Sequence, residues 1–127
     1  MKPLAFVLLL LGSTSTWADW HGVGSTSNAD VYVDSAMTGQ QDTVVKMRSL
    51  LDFKTIQQVV EGTYLSQVAE QEYDCDAYTY RTLSASIHSG HMGAGEVIFS
   101  SDEPLAAWER ITAGSVAKSF YKIACKQ

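Results

Sequence analysis

His88 and His91 are separated by two residues, an H-x-x-H spacing that could place two metal ligands close together. Zinc sites in proteins need three or four ligands that converge on one point. No cysteine lies near the pair, and Glu96 is the only carboxylate close to it. The intervening Ser89-Gly90 is typical of a turn. We therefore interpret both histidines as polar turn residues, and we predict no metal site and no cofactor.

Four carboxylates alternate along a stretch of strand-like sequence and could bind a cation or a basic protein. They are Glu70, Glu72, Asp74 and Asp76. In a strand they would share the face opposite Cys75, about 7 Å apart, because each residue rises about 3.3 Å. Such spacing spreads the charges, whereas hard cations need converging oxygens. A solvated sheet face, partly neutralised by Lys46 and Arg48 across the strands, is the simpler interpretation, and the row is kept as a partner-binding candidate.

Tyr78 and Tyr80 are the aromatic candidates for partner contact, since they would share one strand face if that stretch is extended. Aromatic residues are enriched at protein interfaces. They also fill small cores, which is the role expected of Tyr73 and Phe120. An enzyme or small-molecule carrier would need a deep pocket, lined here by Tyr78, Tyr80 or the two histidines.

Motifs of catalysis are missing from the sequence. There is no G-x-S-x-G elbow, and the glycines match neither G-x-G-x-x-G nor a phosphate-binding loop. No pair of acids has the context of a hydrolase. We predict that the protein is not an enzyme.

The N-terminus has the three parts of a secretory signal peptide. Lys2 precedes the apolar run Leu4 to Leu11, which is too short to span a bilayer. Thr16 and Ala18 occupy the small-residue positions of a cleavage site. Residues 1–18 are therefore the predicted signal, and residues 19–127 form one mature domain. Without a cysteine after the apolar run we expect no lipid anchor, and without a second apolar stretch no transmembrane segment. The predicted location is the periplasm, the outer surface or the medium.

The mature chain of 109 residues is acidic, with 8 basic and 14 acidic side chains and a net charge of −6. This balance argues against nucleic acid and anionic lipid as partners. We expect a protein partner.

Cys75 and Cys125 are the only cysteines. In an oxidising compartment such a pair is most simply a disulfide. A redox pair is the alternative, although redox motifs normally have the C-x-x-C spacing.

Period-two alternation predicts several strands. They are Val31 to Met37, Thr43 to Phe53, Leu65 to Ala77, a stretch through Leu83, Ala85 and Ile87, and Glu96 to Ser101. Thr38 to Gln41 is the expected hairpin turn between the first two. Lys54 to Thr63 is expected to be a polar connection or a short helical turn, and Asp19 to Asp30 an irregular or short-strand entry.

The last element is predicted to be a helix over Val116 to Cys125, capped by Gly114-Ser115. Its apolar residues recur at helical spacing. The predicted fold class is α+β: an antiparallel sheet with the C-terminal helix packed on one face and one disulfide. That disulfide would join the helix to the sheet face that carries Cys75.

Short signatures in a particular order give the mature chain a family resemblance. They are Tyr32-Val33-Asp34, Tyr64-Leu65-Ser66, Glu72-Tyr73-Asp74-Cys75, Arg81-Thr82-Leu83, Ser89-Gly90-His91-Met92-Gly93, Trp108, Gly114-Ser115 and Cys125. Their order resembles the surface-adhesin protein E-like domain of Gram-negative bacteria. The resemblance implies a small extracytoplasmic domain with a sheet and a helix, and binding of host matrix or serum proteins. Only Cys75 and Cys125 match residue by residue, so the resemblance assigns no binding residues.

Two functions follow as hypotheses. The first is a secreted or periplasmic binding protein of the adhesin E-like type, which recognises its partner through a sheet face or edge. The second is a periplasmic accessory or inhibitor protein that acts on another bacterial protein. Its inhibitory segment would be an ordered loop, for which Ser89 to Gly95 is the candidate.

Overall fold

One antiparallel sheet contains every strand of the chain that the structure describes. The computed structural model describes residues 19–102 and 107–126, without the side chains of residues 35–38. The strands are β1 (Trp20–Ser25), β2 (Ala29–Gln41), β3 (Val44–Val59), β4 (Gly62–Asp74), β5 (Thr79–His88), β6 (Val97–Ser101) and β7 (Glu109–Arg110), followed by the helix α1 (Val116–Ala124). The α+β prediction is confirmed. The predicted signal peptide lies outside the described residues.

The strands follow one another across the sheet in chain order, from β1 to β6. Each pair of neighbours is antiparallel, as successive hairpins require. β7 pairs with the start of β5, at Thr79 and Tyr80, whereas β6 pairs with the end of β5, from Ala85 to His88. The sheet therefore has β1 at one edge and β6 with β7 at the other.

The central strands are longer than hydrophobic alternation predicts. The expected turn at Thr38 to Gln41 is wrong, because Gly39, Gln40 and Gln41 pair with β3 and the chain reverses at Asp42 and Thr43. Asp42 adopts a left-handed conformation there, with φ of 55°.

The expected polar connection over Lys54 to Thr63 is also wrong. It is a hairpin with a two-residue turn at Val60 and Glu61, and Gly62 begins β4 instead of ending an element. This hairpin is largely exposed, so no buried face imposes a hydrophobic alternation on its sequence.

The C-terminal helix matches its prediction to within one residue. Ser115 is the N-cap, and its hydroxyl accepts a hydrogen bond from the backbone N–H of Lys118 at 3.1 Å. Capping of this kind satisfies one of the free N–H groups of the first turn. Cys125 follows the last helical residue as the C-cap.

The helix covers one face of the sheet, here named the helix face. Phe120, Tyr121 and Ala124 are buried against alternate residues of β2, β3 and β4. The sheet residues of this core are Val31, Val33, Val45, Met47 and Tyr73. Their alternation is the signal that located these strands in the sequence.

The opposite face, here named the loop face, is covered in part by the segment 89–95. That segment contains a 3₁₀ turn at His91–Gly93. A Cβ atom on Gly93 would lie 3.4 Å from Val68 and 3.7 Å from Leu50. The loop thus shields the side chain of Leu50, which is fully buried although it points away from the helix.

Candidate functional site

The disulfide joins the end of the helix to the turn that follows β4. Cys75 and Cys125 are bonded at 2.04 Å, which confirms the predicted pairing. The prediction that Cys75 lies on a strand is wrong, because β4 ends at Asp74 and Cys75 begins the turn that follows. The hydroxyl of Tyr121 donates to the carbonyl of Cys75 at 2.8 Å. A covalent bond and a hydrogen bond therefore both attach the helix to this turn.

The predicted carboxylate row is divided among separate roles. Glu70, Glu72 and Asp74 lie on β4 at alternate positions on the loop face, but Asp76 lies in the turn after the strand. Glu72 forms an ion pair with Arg81 at 2.7 Å. Asp74 accepts hydrogen bonds at Oδ1 from the backbone N–H groups of the following turn.

This division follows from the position of the turn, since a strand that ends at Asp74 cannot carry the alternation through residue 76. The carboxylates do not converge on one point. Among residues 19–102 and 107–126, no group of three or more histidine, cysteine, aspartate or glutamate residues could hold a metal ion.

The two candidate tyrosines do not share a strand face. Tyr78 lies in the turn before β5 with φ of 59°, and Tyr80 lies on β5. Tyr78 packs edge-on against Tyr121 at 4.8 Å between ring centroids, while Tyr80 stacks on Tyr73 at 6.1 Å. Both rings therefore support the helix face, although each keeps part of its surface exposed.

Lys118 of the helix lies over the ring of Tyr78. The Nζ atom of Lys118 lies 4.4 Å from the centre of Tyr78 and 5.1 Å from the centre of Tyr121. It also donates a hydrogen bond to the Tyr78 hydroxyl. Cation–π contacts of this kind attach the helix to the turn beside the disulfide.

Burial raises the pKa values of the stacked tyrosines Tyr73 and Tyr80. Desolvation raises the pKa of Tyr73 far above its usual value, with a further contribution from Tyr80. Burial also raises the pKa of Tyr80, and the carboxylate of Glu109 on β7 acts in the same direction. Both phenols thus stay neutral through the ordinary pH range and serve packing.

The two histidines have different partners and do not form a common site. His88 lies on β5, with Nε2 2.8 Å from the hydroxyl of Ser86. Burial, and then the positive charge of Arg48, lowers the pKa of His88. His91 lies in the loop, with Nδ1 3.0 Å from Oδ1 of Asp52.

The loop 89–95 is held at two points on the loop face. The hydroxyl of Ser66, which is fully buried, donates to the carbonyl of Gly90 at 2.7 Å and accepts from the N–H of Gly93 at 2.9 Å. Oδ1 of Asp52 accepts from the N–H of Met92 at 3.0 Å. The loop is therefore ordered, and the side chain of Met92 is left partly exposed.

Exposed apolar side chains occur on β6 and on the β3–β4 hairpin, a feature that sequence analysis missed. Val97 and Phe99 are 56% and 51% exposed on this edge strand. On the β3–β4 hairpin, Ile56 of β3 is 64% exposed and Val60 of the turn is fully exposed. A Cβ on Gly62 would lie 3.3 Å from the side chain of Ile98, so the turn end of the hairpin touches β6.

We name Ile56, Val60, Val97 and Phe99 the apolar edge. The signal that could have found it is the run of apolar residues at a predicted turn, where polar residues are the rule.

No helix among the described residues is long and apolar enough to cross a membrane.

Comparison with known proteins places these features in a family. The sequence profile of the family described as surface-adhesin protein E matches residues 17–126. Among curated proteins, none matches the chain.

Solved structures of Haemophilus influenzae protein E share the fold. One structure matches with a TM-score of 0.61 at 11% identity, over 84% of this chain and 93% of the other. A second crystal form gives a TM-score of 0.64 at 11% identity, over 84% and 96% of the two chains. A selenomethionine form gives 0.62 at 12% identity, over 84% and 92%. At these identities the likeness establishes the shared fold.

Proposed function

Because the chain belongs to the surface-adhesin protein E family, we propose that it is an exported, non-catalytic binding protein that recognises a host matrix or serum protein. The family description and the predicted signal peptide at residues 1–18 both support export. The acidic mature chain, with a net charge of −6, favours a partner with basic surface.

The apolar edge is the observation that carries this proposal. Large apolar side chains at the rim of a soluble domain cost free energy when they are left in water, and clusters of them are typical of interaction sites. Val97 and Phe99 lie two residues apart on β6, opposite His88 and Ile87 of β5, with a register irregularity between the two pairs. A partner that covers both would bury two anchors at once.

The backbone of β6 supplies the second part of the mechanism. Within the described ranges, β6 pairs with β5 on one side only. Its other edge presents the N–H and C=O groups that an added strand uses for hydrogen bonds. We propose that the partner adds an extended segment along β6, with Val97 and Phe99 supplying specificity through side-chain contact.

The test is saturable binding of purified matrix and serum proteins to the purified exported protein. Val97→Ser combined with Phe99→Ser should weaken binding at least tenfold, because both anchors are lost. Val23→Ser is the matched control, since it changes an exposed valine on β1, the opposite edge of the sheet. It should leave binding unchanged.

A further variant tests whether the partner binds the apolar edge or the acidic and tyrosine residues that the sequence analysis proposed. Asp76→Asn changes an exposed carboxylate in the β4–β5 turn. If Asp76→Asn weakens binding and the β6 variant does not, the partner uses the turn with Tyr78 and the acidic residues. If no matrix or serum protein binds saturably, the adhesin function is wrong.

An accessory or inhibitory function in the periplasm is the second candidate, and the ordered loop 89–95 favours it. Inhibitory loops bind best when they are held in one conformation before binding. Ser66 and Asp52 bind four groups of this loop, which are three backbone groups and the imidazole of His91. Cell fractionation with surface protease treatment distinguishes the two functions, because a protein found only in the periplasm cannot act as an adhesin.

A further inference from the structure

A polar cleft lies on the loop face, on the side of the sheet opposite the helix, and Ser100 and Ser101 of β6 form one of its walls. It has a volume of about 230 Å³ and is formed across β3, β4, β5 and β6. Its polar lining includes Arg48, Glu70, Ser84, Ser86, Ser100 and Asp102.

The register of the sheet brings these side chains together. Arg48 pairs with Glu70, and Glu70 pairs with Ser84, so the three form one row across the strands. Ser86 pairs with Ser100 in the next row. Directly paired side chains on one sheet face lie about 5 Å apart. The rows therefore present a guanidinium, a carboxylate and several hydroxyls as neighbours on one face, with about 10 Å between the outer members of the first row.

Most of these polar groups are available to a ligand. Within residues 19–102 and 107–126, the side chains of Glu70, Ser84 and Ser100 form no hydrogen bond with the protein. Glu70 and Ser84 are half-buried, so a ligand that pairs with them would find them already partly desolvated. Hydroxyls both donate and accept, whereas an ionised carboxylate only accepts and a guanidinium only donates. The cleft thus matches a ligand that carries both kinds of group on adjacent atoms.

Neighbouring contacts hold the cleft in shape. The guanidinium of Arg48 lies 5.7 Å from the centre of the Trp20 ring, a cation–π contact that restricts its side chain. Ser86 is held by His88 at 2.8 Å. Val68, which is 9% exposed, gives the cleft an apolar floor. Arranged in this way, the groups need little reorganisation to bind.

The charge of the cleft selects among ligands. Arg48 is one cation, and Glu70 and Asp102 are two carboxylates, so an anionic ligand meets net repulsion. A sugar ring combines an apolar face with adjacent hydroxyls that donate and accept. We propose that this cleft binds a neutral sugar residue, with Glu70 accepting from vicinal hydroxyls, Arg48 donating to a ring or hydroxyl oxygen, and Val68 beneath the ring.

The experiment is a titration of ¹⁵N-labelled protein with D-galactose, D-mannose and N-acetyl-D-glucosamine, followed by amide chemical shifts. At least one sugar should give saturable shifts at Ser84, Ser86 and Ser100. D-glucuronate, which adds a negative charge to a similar ring, should bind more weakly.

Two variants test the assignment of the cleft. Glu70→Gln keeps the size of the side chain but weakens the acceptor, and should reduce affinity at least fivefold. Ser84→Leu fills the cleft and should abolish the shifts. Glu61→Gln, at the exposed hairpin turn, is the matched control and should leave the titration unchanged.

Three results would overturn the assignment: no saturable shift with any of the three sugars, tighter binding of D-glucuronate than of any neutral sugar, or unchanged affinity in Glu70→Gln. Glu70→Gln is close to isosteric, so it tests the cleft even if Ser84→Leu perturbs folding. Since the sugars are tested without a protein partner, the result does not depend on the function proposed for the apolar edge.

Discussion

Ser66 holds the loop 89–95 with a single hydroxyl. Its Oγ donates to one loop carbonyl and accepts from one loop N–H, and the residue is fully buried. A side chain that satisfies two backbone groups leaves both unpaired when it is removed. Such a residue carries more stability than its size suggests.

Ser66→Ala should lower the free energy of unfolding by about 1–3 kcal/mol, because buried polar groups without partners bear a desolvation penalty of that order. Urea denaturation measures the change, and hydrogen exchange should show faster exchange at Gly93. Ser119→Ala is the control, since Ser119 is exposed on the helix and alanine is the better helix former. A loss in the control as large as in Ser66→Ala would contradict the loop contact as the cause.

His88 gives the protein a pH-dependent contribution to stability. Burial and Arg48 lower its pKa in the folded state, below the value of about 6.5 expected in the unfolded chain. A lowered pKa means that the folded state binds this proton less readily than the unfolded state. The contribution is therefore present above about pH 6.5 and is lost as the pH falls below it.

His88→Gln should reduce the fall in unfolding free energy between neutral pH and pH 5, as measured by urea denaturation at a series of pH values. His21→Gln, at an exposed position on β1, provides a matched change of histidine to glutamine. If the pH dependence of His88→Gln equals that of the parent protein, another group is responsible.

The helix α1 depends on its cap and on packing. Nine residues form about two and a half turns, which is too short for a stable isolated helix in water. The apolar side that carries Phe120, Tyr121 and Ala124 supplies the packing, and Ser115 supplies the cap. Lys118 adds its contact with Tyr78 and Tyr121 on the same side of the helix.

Ser115→Ala should cost about 1 kcal/mol of unfolding free energy, because it removes an N-cap acceptor. Ser115→Asp should retain most of the stability, since aspartate also accepts at this position and its charge favours the helix N-terminus. Thermal unfolding followed by circular dichroism compares the three proteins. Equal losses in both variants would point to the contact of the Ser115 hydroxyl with Thr112, at 2.7 Å, instead of to the cap.

At the scale of the whole molecule, the disulfide links two segments separated by 50 positions in the chain. It lies beside the Tyr121–Cys75 hydrogen bond, and both cysteines pack against the core of the helix face. A link of this length restricts the unfolded chain considerably, which stabilises the folded state by comparison.

Replacing both cysteines with alanine should lower the free energy of unfolding by about 4 kcal/mol, the value of the loop-entropy argument for a closed loop of this size. Urea denaturation with and without reductant measures it. Reductant should destabilise the parent protein and have no effect on the double variant. A parent protein insensitive to reductant, once its disulfide is shown to be open, would contradict this account.

Local patterns were readable from the sequence because their causes are local. The alternation of Val31 and Val33, and of Val45 and Met47, follows from strand geometry over a few residues. The helix was found from its own spacing and its own cap at Ser115. The cysteine pair followed from the predicted compartment. These features, with the family resemblance, determined the fold class and the binding function expected of the chain.

The tertiary structure decided which residues meet. Register brings Arg48, Glu70 and Ser84 into one row, and the hairpin beyond the core brings Gly62 against Ile98 of β6. Turn geometry separates Asp76 from the acidic residues of β4. The row and the hairpin contact depend on pairing between different strands, and the free energy of that pairing comes from contacts that no single stretch of sequence contains.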